Sequence, residues 1–265
     1  MVIQIPINAK KPLVLIDTSY YIFNRYFATT KWFSFQKKEF NEEEFNDAFL
    51  KHVDADFKKI QKKLKTDINN IILCLDCPRS EIWRNELYSS YKATRTTKDN
   101  FDSNIFNIFN DYIKEVKIIQ ISFNKLEADD IVHLLHSQIT KINSKQPIVI
   151  ITNDNDYLQL SNNHTKIINM QFKDITLRGT LNPQIDLLVK IIYGDKGDNI
   201  NKISVGLTKD KAIKIALMNE EERNKYLIEN DIMDNFQLNK KLISFESIPK
   251  DLIEKFYHNY NIYIL

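Results

Sequence analysis

With 265 residues, 43% of them hydrophobic and 27% charged, the chain can bury a sizeable core in one or two domains and is too apolar to be intrinsically disordered. A formal net charge of +2 excludes a global field that would draw in nucleic acid or acidic surfaces, so such a partner has to be met by local patches. The opening MVIQIPINAKK lacks the apolar run of a signal peptide, PLVLIDTSYYIF is short and carries Asp17, and no membrane-spanning run follows. The expectation is an unsecreted, cytoplasmic protein.

Short β-branched runs punctuate the chain: LVLI (13–16), IILCL (71–75), VKIIQI (116–121), IVIIT (148–152) and KIIN (166–169). These predict strands. Helical patterns lie between them, such as Phe49, Val53, Phe57, Ile60 and Leu64, which repeat at one-turn spacing opposite a solvated face of Lys58, Lys59, Lys62 and Lys63. Strands alternating with helices predict an α/β fold whose parallel sheet is covered on both sides. From about residue 183 the pattern turns helical, up to a short YIL strand at the end. With no Gly/Ser linker, residues 183–265 are expected to pack on the 1–182 core. Cys74 and Cys77 form a lone C-x-x-C. Three residues of strand rise set them roughly 10 Å apart, beyond the ~7 Å that a disulfide spans, and no second pair completes a zinc site. They read as buried thiols in a reducing compartment.

The acids sit at the ends of these runs. Asp17 follows LVLI, Asp76 follows IILCL, and Asp154 and Asp156 follow IVIIT in the loop TNDNDYLQL. Glu127, Asp129 and Asp130 come in KLEADDIVHLL, at the first turn of a helix after VKIIQI. All of these map to the carboxyl edge of the sheet, where ligand crevices form in open α/β folds. Taken singly, each is an ordinary loop acid, Asx turn or helix-start acid. Jointly they predict converging carboxylates, which must be protonated or held by cations; an all-oxygen set suits Mg²⁺ or Mn²⁺, and this many acids suits two ions.

Two further stretches stand out. In CPRSEIWRNELYSSYKATRTTK, the residues Arg84, Tyr88, Tyr91, Lys92 and Arg95 fall on one face if the segment is helical, a pattern that suits either a solvated basic face or phosphate and base contact. In IIYGDKGDNI, Gly194 and Gly197 flank Asp195 in a chain with only four glycines, marking a tight turn that also carries Asp198. His133 and His136, three residues apart, lack zincin spacing and read as packing residues.

In chain order, from about residue 13 to about 214, LVLIDTSYYIFNRYFA, LDCPRSEIWRNELYSSYKATR, LEADD, TNDNDYLQL and YGDKGDNI together resemble the motifs of the flap endonuclease and 5′-3′ exonuclease superfamily. The resemblance implies a PIN-like three-layer α/β/α core, a helical arch over about residues 30–110, and a degenerate helix-hairpin-helix in the C-terminal region. It implies that Asp17, Asp76, Glu127 and Asp129 hold one metal ion with Asp130 close by, and that Asp154, Asp156, Asp195 and Asp198 hold or orient a second. Lys92 and Arg95, on a mobile arch helix, would stabilise the scissile phosphate together with Arg84. Phe23 and Tyr91 would meet substrate bases. Gly206, Lys209, Lys211 and Lys214 would contact the duplex backbone, although NKISVGLTKDKAIKIA keeps only one of the glycines on which the family's K⁺ site depends.

The implied activity is a monomeric, two-metal 5′ nuclease acting on flap, nicked or RNA-primed DNA. It would work in replication or repair beside replication proteins, in a bacterial, phage-infected or viral replication compartment. Two alternatives stay open: a non-catalytic binder of branched DNA and a PIN-type ribonuclease. A haloacid dehalogenase is disfavoured by Ser19 in place of the second Asp of D-x-D, and the chain has no G-K-[ST] P-loop.

Overall fold

The computed structural model describes residues 3–36, 41–95, 101–179 and 182–264. A five-stranded, wholly parallel sheet forms its centre: β2 (Leu13–Asp17), β3 (Ile71–Cys74), β4 (Ile119–Ile121), β5 (Ile148–Ile151) and β6 (Thr165–Ile168), following a separate strand β1 (Ile3–Ile7). The spatial order is β4-β3-β2-β5-β6, so the chain reverses its direction of travel between β2 and β5. That reversal is the topological switch point, and its crevice opens at the strands' carboxyl ends.

Alternation along the strands builds the three layers. Leu13 and Leu15 of β2, with Ile72, Cys74, Ile148 and Ile150 beside them, face α5 (Ala128–Ile142) and α10 (Lys250–Asn259). The intervening Val14 and Ile16, with Ile71, Leu73, Val149 and Ile151, face α1 (Thr18–Phe35), α2 (Glu42–Leu64) and α4 (Ile105–Val116). Almost all of these side chains are fully enclosed, each stabilising the fold by about 1.5–3 kcal/mol. A one-residue slip in register would exchange the two faces.

A third cluster joins α6 (Pro183–Tyr193), α7 (Lys209–Ala216), α8 (Glu220–Glu229) and α9 (Met233–Ile243), through Ile191, Ile192, Ile203, Leu207, Ala212, Ile215, Leu227 and Leu242. Cys77, Ile82 and Tyr91, from the segment after β3, belong to this cluster as well. The C-terminal helices therefore share a core with that segment. Both cysteines are free and buried.

Two sequence expectations need correction. The strand expected at 116–121 starts only at Ile119, because Val116 closes α4 and Lys117 caps that helix in the left-handed conformation at φ 57°. The continuous basic helix from Arg84 does not form. Helix α3 covers Arg84–Leu87 and stops at Tyr88 in extended conformation; a series of turns follows, with Lys92 at φ 54°. Within the expected arch, α1, α2 and α4 pack against the sheet, while residues 37–40 and 96–100 lie outside the described residues. Strand β1, not expected at all, pairs in parallel with β7 (Tyr260–Ile264) at the other end of the chain, and β7 takes in Tyr263 and Ile264 of the expected terminal strand, whose Leu265 lies outside the described residues.

Candidate active site

Each acid is placed by the local rule that shapes its own turn. Asp17 ends β2 and caps α1, accepting from the Tyr20 amide at 3.0 Å, while Tyr157 and Thr152 hydroxyls donate to its other oxygen at 3.1 and 3.2 Å. Asp76 accepts from the Ala128 amide at 2.9 Å and from the Ser19 hydroxyl, which ties the end of β3 to the start of α5. Glu127 and Asp130 form a capping box on that helix. Asp154 accepts from the Asp156 amide at 2.9 Å, so the loop after β5 presents both acids. Gly194 adopts φ 74°, and a Cβ there would lie 2.5 Å from the Ile200 carbonyl. Only glycine fits this close approach, which turns Asp195 and Asp198 toward the sheet edge.

Asp17, Asp76, Glu127, Asp129 and Asp154 line one cleft of 480 Å³ with Lys92, Arg95, Ser19 and Phe23. Among the described residues, two acid groups bring carboxylate oxygens within 4.8 Å of one another: Glu127, Asp129 and Asp130, and Asp156, Asp195 and Asp198. Crowding shows in the electrostatics. Burial first, then the charges of Asp76 and Asp154, push the Asp17 carboxyl up to about 7. Burial and the neighbouring Asp130 and Glu127 raise Asp129 well above the usual carboxylate range. Burial works in the same direction on Glu127, yet Lys92 and Arg84 outweigh it and hold that carboxyl below its ordinary value. Such a set of oxygen donors, strained by mutual repulsion, fits hard divalent cations.

Cations close the arrangement. Lys92 pairs with Glu127 and lies 3.9 Å from Asp198, and Arg95 pairs with Asp198 while donating to the Gly197 carbonyl at 3.1 Å. Lys190, which sequence reasoning missed, pairs with Asp156 and lies 2.7 Å from Asp195. The available signal was its position in α6, five residues ahead of Asp195. A neighbouring 400 Å³ cavity is lined by Asp156, Lys190, Arg178 and Lys209. Lys211 and Lys214 are exposed on α7, and Gly206 sits in open space at φ 74° in the loop before it.

Three expected site residues lie elsewhere. Arg84 is 1% exposed; its guanidinium meets Glu127 at 2.8 Å, Asp130 at 2.7 and 2.9 Å and the Leu242 carbonyl at 2.8 Å. It anchors the acids from behind, out of reach of the cleft. Asp130 is fully buried, and Arg84, the Trp83 indole and the Glu127 amide all donate to its oxygens, so it stands behind the cleft with Arg84. Tyr91 is 5% exposed and directs its hydroxyl to Glu127 at 3.0 Å, so no base can stack on it. Phe23, by contrast, is 36% exposed on the cleft wall. His133 stacks on Phe245, and His136 Nε2 meets the Thr165 hydroxyl at 2.9 Å, as packing residues do.

Comparison with known proteins agrees with this geometry. The 5′-3′ exonuclease of Buchnera aphidicola from Schizaphis graminum is 27% identical over 74% of this chain and 66% of its own length. Ribonuclease H of Enterobacteria phage T4 is 27% identical over 97% of this chain and 88% of its own. In fold, the chain superposes on a bacteriophage T5 flap endonuclease solved as a pseudo-enzyme-product complex with DNA and metal ions, with a TM-score of 0.66 at 16% identity, over 94% of this chain and 97% of that one. The model of the 5′-3′ exonuclease N-terminal, resolvase-like domain matches residues 12–184, and the chain belongs to that family.

Proposed function

We propose that the protein is a divalent-metal-dependent 5′ nuclease that hydrolyses phosphodiester bonds at 5′ flaps, nicks or RNA-primed ends of duplex DNA, leaving 5′-phosphate products. One observation carries the reading: carboxylates from four separate stretches line one cleft at the switch-point edge with the Lys92 and Arg95 cations, and Asp198 of a fifth stretch pairs with Arg95 beside it. A site that only bound DNA would gain nothing from acids that repel phosphate.

In this reading Asp17, Asp76, Glu127 and Asp129 hold one ion, and Asp154, Asp156, Asp195 and Asp198 hold or orient a second. Mg²⁺ or Mn²⁺, when bound, lowers the pKa of water toward neutrality and neutralises charge on the leaving oxygen. The chain's own groups do the rest. Lys92 and Arg95 balance the negative charge that grows on the scissile phosphate. Tyr157 and Thr152 fix the rotamer of Asp17, and Ser19 does the same for Asp76, so that the ligand oxygens are set before substrate arrives. Phe23 offers an exposed ring to the base beside the cleaved bond. Gly206, Lys209, Lys211 and Lys214 meet the backbone of the duplex.

The test is cleavage of 5′-flap, nicked and RNA-primed duplexes, side by side, with Mg²⁺ or Mn²⁺. Metal-dependent products bearing 5′ phosphate, lost in Asp76→Asn, support the reading. Intact substrates sink it, and preference for single-stranded RNA would favour a ribonuclease instead.

A further inference from the structure

The two cations facing the acids, Lys92 and Arg95, sit on backbone with little support of its own. Between Tyr88 and Arg95 the chain makes only four-residue turns, with Tyr91, Ala93 and Arg95 amides bonding to the Tyr88, Ser90 and Lys92 carbonyls at 2.9, 3.1 and 3.1 Å. Lys92 is also in the left-handed region, at φ 54°, where a side chain is disfavoured. Something outside must hold this segment.

One side is held by the C-terminal motif. The Lys92 amide donates to the Asp198 carbonyl at 2.9 Å, and the Asn199 side chain donates to the Ser90 carbonyl at 2.8 Å. On the other side, among the described residues, Arg79 holds it. Arg79 donates from Nη1 to the Arg95 carbonyl at 2.8 Å and from Nη2 to the Lys92 carbonyl. Its own carbonyl accepts from the Asn85 side chain at 2.7 Å, which fixes its backbone. One rigid fork thus grips the carbonyls of both cationic residues, three positions after the acid Asp76. A lysine has a single point of donation and cannot reproduce that geometry.

We infer that Arg79 is a positioning residue: its guanidinium clamps the Lys92 and Arg95 carbonyls and so aims both side chains at the acid cleft. The inference rests on the nuclease reading for its kinetic consequence and on hydrogen bonding alone for its structural one. Misplacing catalytic groups by an ångström costs up to about 10²-fold in rate, and a partial loss of aim is expected to cost less.

Two measurements test it. In single-turnover cleavage of a 5′-flap duplex with Mg²⁺, Arg79→Ala should lower the rate about tenfold, with KM within about twofold, and Arg79→Lys should recover only part of the loss. Introduced into Lys92→Ala/Arg95→Ala protein, the same Arg79→Ala change should cost less than about twofold, because the groups it aims are gone. Equal losses in the two backgrounds would overturn the inference and make Arg79 an independent contact to DNA.

The second measurement needs neither metal nor substrate. Amide hydrogen exchange at Ala93 and Arg95 should accelerate about tenfold in Arg79→Ala, with the Ile150 amide in the sheet unchanged. Unchanged exchange at both turn amides would overturn the clamp. If the unsubstituted protein cleaves nothing, the nuclease reading fails, and the exchange experiment still decides the role of Arg79.

Discussion

The two acid groups are built in opposite ways. Glu127 and Asp129 stand at the start of α5, with the Arg84 guanidinium and the buried Asp130 locked behind them. Asp156, Asp195 and Asp198 are drawn from a loop after β5 and a turn after α6, and the cations on them, Lys190 and Arg95, are partly exposed and reach in from the open side. Arg84 holds the first group from the protein interior, with Lys92 added on Glu127 from the cleft side; the cations on the second group come from the open side. A buried guanidinium whose three nitrogens all donate cannot move away cheaply, whereas a lysine on a flexible stem can yield to a competing ion or phosphate. The difference teaches that the first group is preformed by the fold and the second is assembled across two packing units.

That contrast can be broken or sharpened in order of expected effect. Asp17→Asn, at the centre of the cleft, should reduce metal-dependent flap cleavage about 10³-fold, on the order of 4 kcal/mol, with an unchanged circular dichroism spectrum. Arg84→Met should leave the buried Asp130 without its cation and Glu127 with Lys92 alone, and destabilise the protein by about 3–5 kcal/mol, read as a lower urea midpoint. Retained stability would mean that the first group is not locked from behind.

A smaller effect concerns the helix that carries the first group. His136 on α5 is buried against Thr165, and burial, with the nearby His133, lowers its pKa from 6.5 to about 4. Between these values the unfolded chain binds a proton that the folded chain refuses. The stability from this residue is therefore complete above pH 6.5 and falls as pH drops toward 4, by at most about 3 kcal/mol. Urea unfolding across that range should show the slope, and His136→Leu should flatten it. Asp195→Asn, in the second group, should slow cleavage about 30-fold, roughly 2 kcal/mol, because it costs the second ion and leaves the first group intact. Lys211→Ala should act least, weakening DNA binding across all sequences and reducing its salt slope by about 1.

Most of the central fold and most of the acid edge were legible because both obey local rules. A β-branched run reads as a buried strand, and an acid immediately after it must lie at that strand's carboxyl end, as Asp17 and Asp76 do. Where legibility failed, distant partners decided the outcome. Arg84 and Tyr91 looked like an exposed basic and aromatic face; burial under Glu127 and the C-terminal helices, far along the chain, turned them into anchors. Strand β1 contains Pro6 and, among the described residues, pairs with the last strand, so no neighbouring residue announces it. Lys190 carries no motif of its own, and its role appears only once α6 lies beside Asp156.

The central claim, that two separately built acid groups each hold a divalent ion, is tested most directly by counting Mn²⁺ bound per chain by electron paramagnetic resonance. The account predicts two ions for the unsubstituted protein, with Asp129→Asn removing one and Asp195→Asn removing the other. A single ion lost to either substitution, or no bound ion at all, would contradict it.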